Sequence, residues 1–106
     1  MIKYGSDKIQ ELKFAAFHPV IEKRDEQWVD IVLRPELEAG SIVPGDLIDF
    51  TVYVICTLDG TIVQMIPQDE GCDCEYGFTA GEKGQIRAYI EQPDIQQQIA
   101  SLSTNG

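Results

Sequence analysis

Residues 35–82 contain no lysine, arginine or histidine. The same stretch holds ten acids: Glu36, Glu38, Asp46, Asp49, Asp59, Asp69, Glu70, Asp73, Glu75 and Glu82. Such a surface repels phosphate backbones and anionic headgroups, so direct binding to nucleic acid or to a membrane is not expected. The chain as a whole has 18 Asp and Glu against 8 Lys and Arg, and six of those eight lie at or before Arg34. Two readings of the acidic half follow. It is a solvated, self-repelling surface that favours solubility, or it is a negative face that docks on a basic partner, with DNA mimicry as the extreme case. No apolar run approaches the ~20 residues needed to span a bilayer. The opening "MIKYGSDKIQ" lacks the apolar core of a signal peptide, so synthesis and use in a reducing cytoplasm are expected.

Chemistry-bearing residues are equally sparse. His18 is the only histidine, and Pro19 after it biases its backbone to extended conformations. No nucleophile motif accompanies it. Of three cysteines, Cys72 and Cys74 are separated by one residue. Zinc sites and thioredoxin-type redox pairs use wider spacings, and acidic neighbours raise thiol pKa values. Cys56 falls on the inward parity of a strand, where a free cysteine acts as a small hydrophobe. Three cysteines leave one unpaired in any disulfide scheme. Asp69, Glu70, Asp73 and Glu75 cluster in "QDEGCDCEYGFTAGEKG", yet their spacing is not that of an EF-hand. There is no P-loop and no dinucleotide fingerprint, and the glycines at 71, 77, 81 and 84 are not expected to lead into a helix. No catalytic residue, metal ligand or cofactor is therefore assigned, and the chain is not expected to be an enzyme.

What is present reads as β-structure. The length of 106 residues and 43% apolar content suit one globular domain with one core. In "DLIDFTVYVICTLDGTIVQMIP", residues 46–67, apolar residues recur with period two. Asp59-Gly60 suggests a two-residue type I′ hairpin. That turn places Cys56 opposite Val63, Val54 opposite Met65 and Tyr53 opposite Ile66, with Ile62 on the outward face. "EQWVDIVLRP", 26–35, alternates through Val29, Ile31 and Leu33, with Trp28 on the other side and Pro35 as its end. "PGDLIDFTVYV" lines up with "AGEKGQIRAYI" at an offset of 36, which predicts another strand over about residues 84–91. Residues 8–17 fit a strand through Leu12, Phe14 and Ala16, or a helix capped by Ser6; the strand is preferred because the rest of the chain reads β. "PDIQQQIASL", 93–102, reads as a C-terminal helix, with a fraying tail over 103–106. Residues 68–84 are left as the longest loop. The expected fold is mainly β: a compact sandwich or partly open barrel, immunoglobulin-like in the loose sense, with a short terminal helix and an N-terminal arm over 1–8.

Two stretches carry a resemblance. "AGSIVPGDLIDFTVYV" is similar to the strand entries of immunoglobulin-like bacterial and phage domains. "KYGSDKIQELKF", through Gly5, Ser6, Lys8, Ile9 and Leu12, resembles a short unit of phage tail and virion proteins. The resemblance implies a virion accessory protein, such as a capsid cement or tail component, that binds other protein subunits. The contact residues expected on this reading are the outward Trp28, Tyr53, Ile55, Ile62 and Ile66, with the N-terminal arm. The loop acids Asp69, Glu70, Asp73 and Glu75 are the candidate contacts if the partner is basic. A metal-binding use of the 69–75 loop is the third reading.

Overall fold

Alternation in the middle of the chain builds the sheet. In the computed structural model, which describes residues 1–104, β1 (Ile2–Lys3), β2 (Phe14–Lys23), β3 (Trp28–Leu37), β4 (Phe50–Thr57), β5 (Ile62–Asp69), β6 (Cys72–Asp73) and β7 (Tyr76–Gly77) precede α1 (Ala80–Ile90) and α2 (Pro93–Thr104). The main sheet is antiparallel in the order β2-β3-β4-β5-β6, and β1 pairs with β7 in a second, two-stranded sheet. Val29, Ile31 and Leu33 pair with Cys56, Val54 and Val52, and all six are 0% exposed. They share one core with Ile86 and Ile90 of α1 and Ile95 and Ile99 of α2. Each fully buried aliphatic side chain contributes roughly 1.5–3 kcal/mol. The chain is thus mainly β, and its sheet is open, with the two helices packed on the core side.

Several expectations change. Residues 84–90 are helix, with Glu91 as its C-cap, and residues 68–84 are not a loop: they hold the end of β5, β6, β7 and the first turn of α1. That turn is a capping box, "TAGE". The Thr79 hydroxyl accepts from Glu82 N–H at 3.1 Å, and the Glu82 carboxylate accepts from Thr79 N–H at 2.8 Å. Two helical glycines, Gly81 and Gly84, weaken the helix by about 1 kcal/mol each relative to alanine. At Gly81 a Cβ would meet only the end of the exposed Glu11 side chain, which can swing aside.

The hairpin after β4 also differs. Thr57 N–H donates to Thr61 O at 2.9 Å, which encloses three residues instead of two. Leu58 and Asp59 keep negative φ and Gly60 takes φ +86°, so a type I′ turn is excluded and a turn with a left-handed glycine closes the loop. Cys56 consequently faces Ile62, with a bulge, and register returns at Ile55 with Gln64. Val54–Met65 and Tyr53–Ile66 pair as the alternation predicts. The tight two-residue turn is Glu70-Gly71, with φ of 53° and 80°.

Segment 8–17 becomes strand only from Phe14; Ile9 makes a single bridge to Ile2. Pro35 does not end β3, which runs to Leu37. Pro35 lies beyond Leu33, the last β3 residue paired with β4, so its missing N–H costs nothing on that side. The expected N-terminal arm is docked: Met1 is 1% exposed. Its ammonium donates to the Gln10 carbonyl and to the carboxylate of Glu82, which is itself 0% exposed. Of the tail expected to fray, residues 103–104 end α2 and residues 105–106 lie outside the described residues.

Glu82 also accepts from Leu12 N–H at 2.8 Å. One turn on, Gln85 accepts from Phe14 N–H and donates to Leu12 O, both at 2.8 Å. Removing one partner of a buried ion pair strands the other charge. Glu82→Ala is expected to lower unfolding free energy by about 3–5 kcal/mol, whereas the exposed Glu22→Ala should stay within about 0.5 kcal/mol. Urea titration followed by circular dichroism measures both.

Candidate interaction surface

The side of the sheet away from the helices carries Trp28, Asp30, Val32 and Arg34 from β3, with Tyr53 and Ile55 from β4. Their cross-strand neighbours include Val20 on β2 and Gln64 and Ile66 on β5. Among the described residues no element packs a second layer over it. Trp28, Val32, Tyr53, Ile55 and Ile66 are half-buried by their neighbours, and Val20 is 56% exposed. The β2–β3 turn that sets Trp28 is held by Asp25, whose carboxylate accepts from Gln27 N–H at 2.8 Å and Trp28 N–H at 2.9 Å.

Paired charges stiffen this face. Arg24 Nε donates to both Asp30 oxygens at 3.0 and 2.9 Å, and its Nη2 donates to the Tyr53 hydroxyl at 2.6 Å. That hydroxyl donates to Asp30 Oδ1 at 2.6 Å. The Arg24 hydrogen bond, joined by that of Tyr53, holds the Asp30 carboxyl below its ordinary value. Burial, and then the neighbouring Asp30, pushes the Tyr53 phenol up. Two further pairs border the face, Arg34 Nη1 to Asp49 at 2.5 Å and His18 Nε2 with Glu36 at 2.6 Å.

Of the expected contact residues, Trp28, Tyr53, Ile55 and Ile66 therefore come together. Ile62 does not. The bulge turns it toward the core, against which it packs, and leaves Val63 53% exposed. The loop acids are divided by role. Asp69 accepts from Ile48 N–H at 2.8 Å and Asp49 N–H at 2.7 Å, stapling the 38–49 segment to β5. Asp73 accepts from Gln68 Nε2 at 3.1 Å. Glu70 is exposed in its tight turn, and Glu75 is exposed beside β7. Among the described residues no three His, Cys, Asp or Glu side chains are grouped as metal ligands would be.

All three cysteines are free thiols. Cys72 is exposed on β6, while the Cys74 thiol donates to Pro67 O at 3.3 Å. Burial raises the Cys74 pKa, with the Asp69 charge adding to it, and burial pushes Cys56 up to about 11. Lysine–aspartate and tyrosine–aspartate contacts to Asp46 missed by sequence reasoning tie the 38–49 segment to β1 and β7. Tyr76 Oη donates to Asp46 at 2.7 Å, and Lys3 Nζ lies 3.3 Å away from the same carboxylate. No local pattern announces these, because they join residues far apart in sequence.

Comparison of the chain with protein-family models, with curated proteins and with solved structures finds no match. Among the described residues no helix is long and apolar enough to cross a membrane.

Two outcomes are expected from this geometry. Asp30 has a depressed folded pKa, so its contribution is complete above its ordinary 3.8 and lost as pH falls through the lower folded value. Tyr53 has a raised folded pKa, so its contribution holds below 10.0 and is lost as pH rises through the higher folded value. Asp30→Asn should therefore lower the melting temperature at neutral pH, and the gap to the unmodified chain should close in acid below 3.8. Thermal melts across pH check this. With iodoacetamide at mildly alkaline pH, Cys72 should react first, Cys74 slowly, and Cys56 only in denaturant, as read by peptide mass mapping.

Proposed function

We propose that this chain is a non-catalytic interaction domain that docks on other protein subunits through the outer face of its sheet. The carrying observation is the asymmetry of the sheet: its inner face is sealed by α1 and α2, while Trp28, Val32, Tyr53, Ile55 and Ile66 stand together on the uncovered side. Half-buried aromatic and aliphatic side chains held in a rigid lattice lose little entropy on docking. Both arginines on and around this face are already paired, Arg24 with Asp30 and Arg34 with Asp49, and His18 is hydrogen-bonded to Glu36. Asp30 and Asp49 thus have their counter-charges within the chain, which favours a protein subunit over a strongly basic ligand.

Strand spacing and rise give the flat part of this face an area of roughly 400 Å². A standard interface buries about 800 Å² per partner. The face alone therefore supports a modest contact, of the kind that becomes firm when repeated across an assembly. A virion accessory role, as cement or tail component, is the particular form of this reading that the resemblance of residues 3–14 implies.

Native mass spectrometry of the chain purified from its source identifies the partner, and variants then test the surface. Ile55→Ser and Trp28→Ala should each reduce capture of that partner at least about tenfold, the loss of a buried hot-spot contact, with the monomer still folded by circular dichroism. Glu70→Lys with Glu75→Lys should leave capture within about twofold, as expected of rim charges. The reverse order, with steep salt dependence, overturns the proposal in favour of an acidic inhibitor that docks on a basic site.

A further inference from the structure

The second uncovered feature is an edge, separate from the outer face. β5 is bonded to β4 along its length, but on its other side only Gln68 and Asp69 pair with β6. Among the described residues no strand hydrogen-bonds to Ile62–Ile66 on that side, although β7 runs close by and shares a hollow with Gln64–Pro67. The phase of this free edge follows from Pro67. It sits opposite Val52 and has no N–H, so that pair does not exchange ladder bonds. Its carbonyl points the other way, where Cys74 N–H donates to it at 3.3 Å. Antiparallel ladders alternate, so Met65, two residues earlier, also turns its N–H and C=O outward.

Beside this edge runs α1. A hollow of about 300 Å³ is lined by Ile62–Met65 together with Lys83 and Arg87. Through Gln64, Met65 and Lys83 it joins another of about 340 Å³ that reaches Tyr76 and Phe78. Arg87 also lines the hollow at the other end, beside Gly60 and Ile62. Lys83 thus accompanies the Pro67 end of the strand and Arg87 the Ile62 end, so helix and strand run side by side.

Lys83 and Arg87 are the only basic residues after Arg34. Neither forms an ion pair among the described residues. Four helical residues advance about 6 Å, and two residues of an extended strand advance about 6.6 Å. Carboxylates at alternate positions of an added strand therefore match the two cations. Asp73 lies at one end of the groove, and Asp59 and Glu91 at the other, which confines the acidic stretch to its middle.

We infer that the free edge of β5 and the adjoining side of α1 form a groove for an extended acidic peptide, which adds as a strand beside Met65 and sets alternate carboxylates against Lys83 and Arg87. Strand addition supplies main-chain hydrogen bonds, and the cations select the side chains. A second copy of this chain is a poorer occupant. Antiparallel pairing of β5 with β5 places both α1 helices on one face of the joined sheet, like charge against like.

The probe is a short fluorescein-labelled peptide, Thr-Val-Glu-Val-Glu-Val-Thr, followed by fluorescence anisotropy against its counterpart with lysine at both glutamates. The acidic peptide should bind roughly fivefold to tenfold more tightly, as two exposed ion pairs allow. The K83E/R87E variant, checked for folding by circular dichroism, should reverse that preference. N-methylation of one alternate set of peptide residues should abolish binding, and methylation of the other set should not. Equal affinity for the two peptides overturns the inference, as do an unchanged preference in K83E/R87E, indifference to both methylation patterns, no binding at millimolar peptide, or a β5-mediated dimer in sedimentation.

Discussion

The carboxylate of Glu82 is the point on which the arrangement of this molecule turns. A lone carboxylate without access to water is unfavourable by several kcal/mol, and this one is 0% exposed. It is balanced by the Met1 ammonium and by the N–H groups of Leu12 and Thr79. Those partners come from three separate stretches of chain, so one side chain fixes the lead-in segment, the β7–α1 junction and the helix start together. Gln85 repeats the device one turn later on Leu12 and Phe14. With its first two turns anchored, α1 has no rotational freedom. Ile86 and Ile90, on the face that follows from Glu82, meet the sheet. Lys83 and Arg87, about 100° further round, are left on the β5 side.

The strands were legible where one face is buried and the other wet. β3 and the first part of β4 show it, because Val29, Ile31 and Leu33 alternate with Trp28, Asp30 and Val32. Half of the candidate surface was legible for the same reason, since Tyr53, Ile55 and Ile66 follow from parity alone. Ile62 was not, because Asp59-Gly60 suits two loop lengths. A glycine in the left-handed region closes either, and only the bulge decides which side Ile62 takes. Helix α1 was hidden by Gly81 and Gly84, whose helix propensity is poor because glycine loses the most backbone entropy. The signal that was available is "TAGE" followed by Ile86 and Ile90 four residues apart, a capping box ahead of an apolar helical face. The groove was not legible at all, because it joins a strand edge to a helix that the local pattern conceals.

Proline placement gives the sheet its limits. Pro19 lies in β2 and Pro67 in β5, one at each side of the four long strands, and Pro35 lies on the overhang of β3. A proline in an edge strand removes a donor that another chain would otherwise use. The protection is uneven. On β5 it covers the end nearest β6, and the bulge at Ile62–Val63 disturbs the other end. Between them Met65 keeps both main-chain groups directed at the groove. An edge blunted at both ends and open in the middle admits one short strand and resists indefinite stacking.

The two uncovered surfaces meet along β5, since Ile66 faces the outer side and Met65 bonds toward the groove. A strand added at that edge would continue the sheet, and its residues alternate between the two sides. Those facing α1 meet Lys83 and Arg87, while those facing away extend the apolar surface formed by Tyr53, Ile55 and Ile66 by about one strand spacing, 4.8 Å. An occupied groove would therefore widen a docking face that is narrow by itself. The charge pattern works in the same direction. Acids dominate residues 35–82, Arg24 and Arg34 are tied to Asp30 and Asp49 on and around the outer face, and the cations of the later half of the chain stand at the groove. Long-range repulsion thus disfavours acidic segments over the later half of the chain and is relieved beside Lys83 and Arg87.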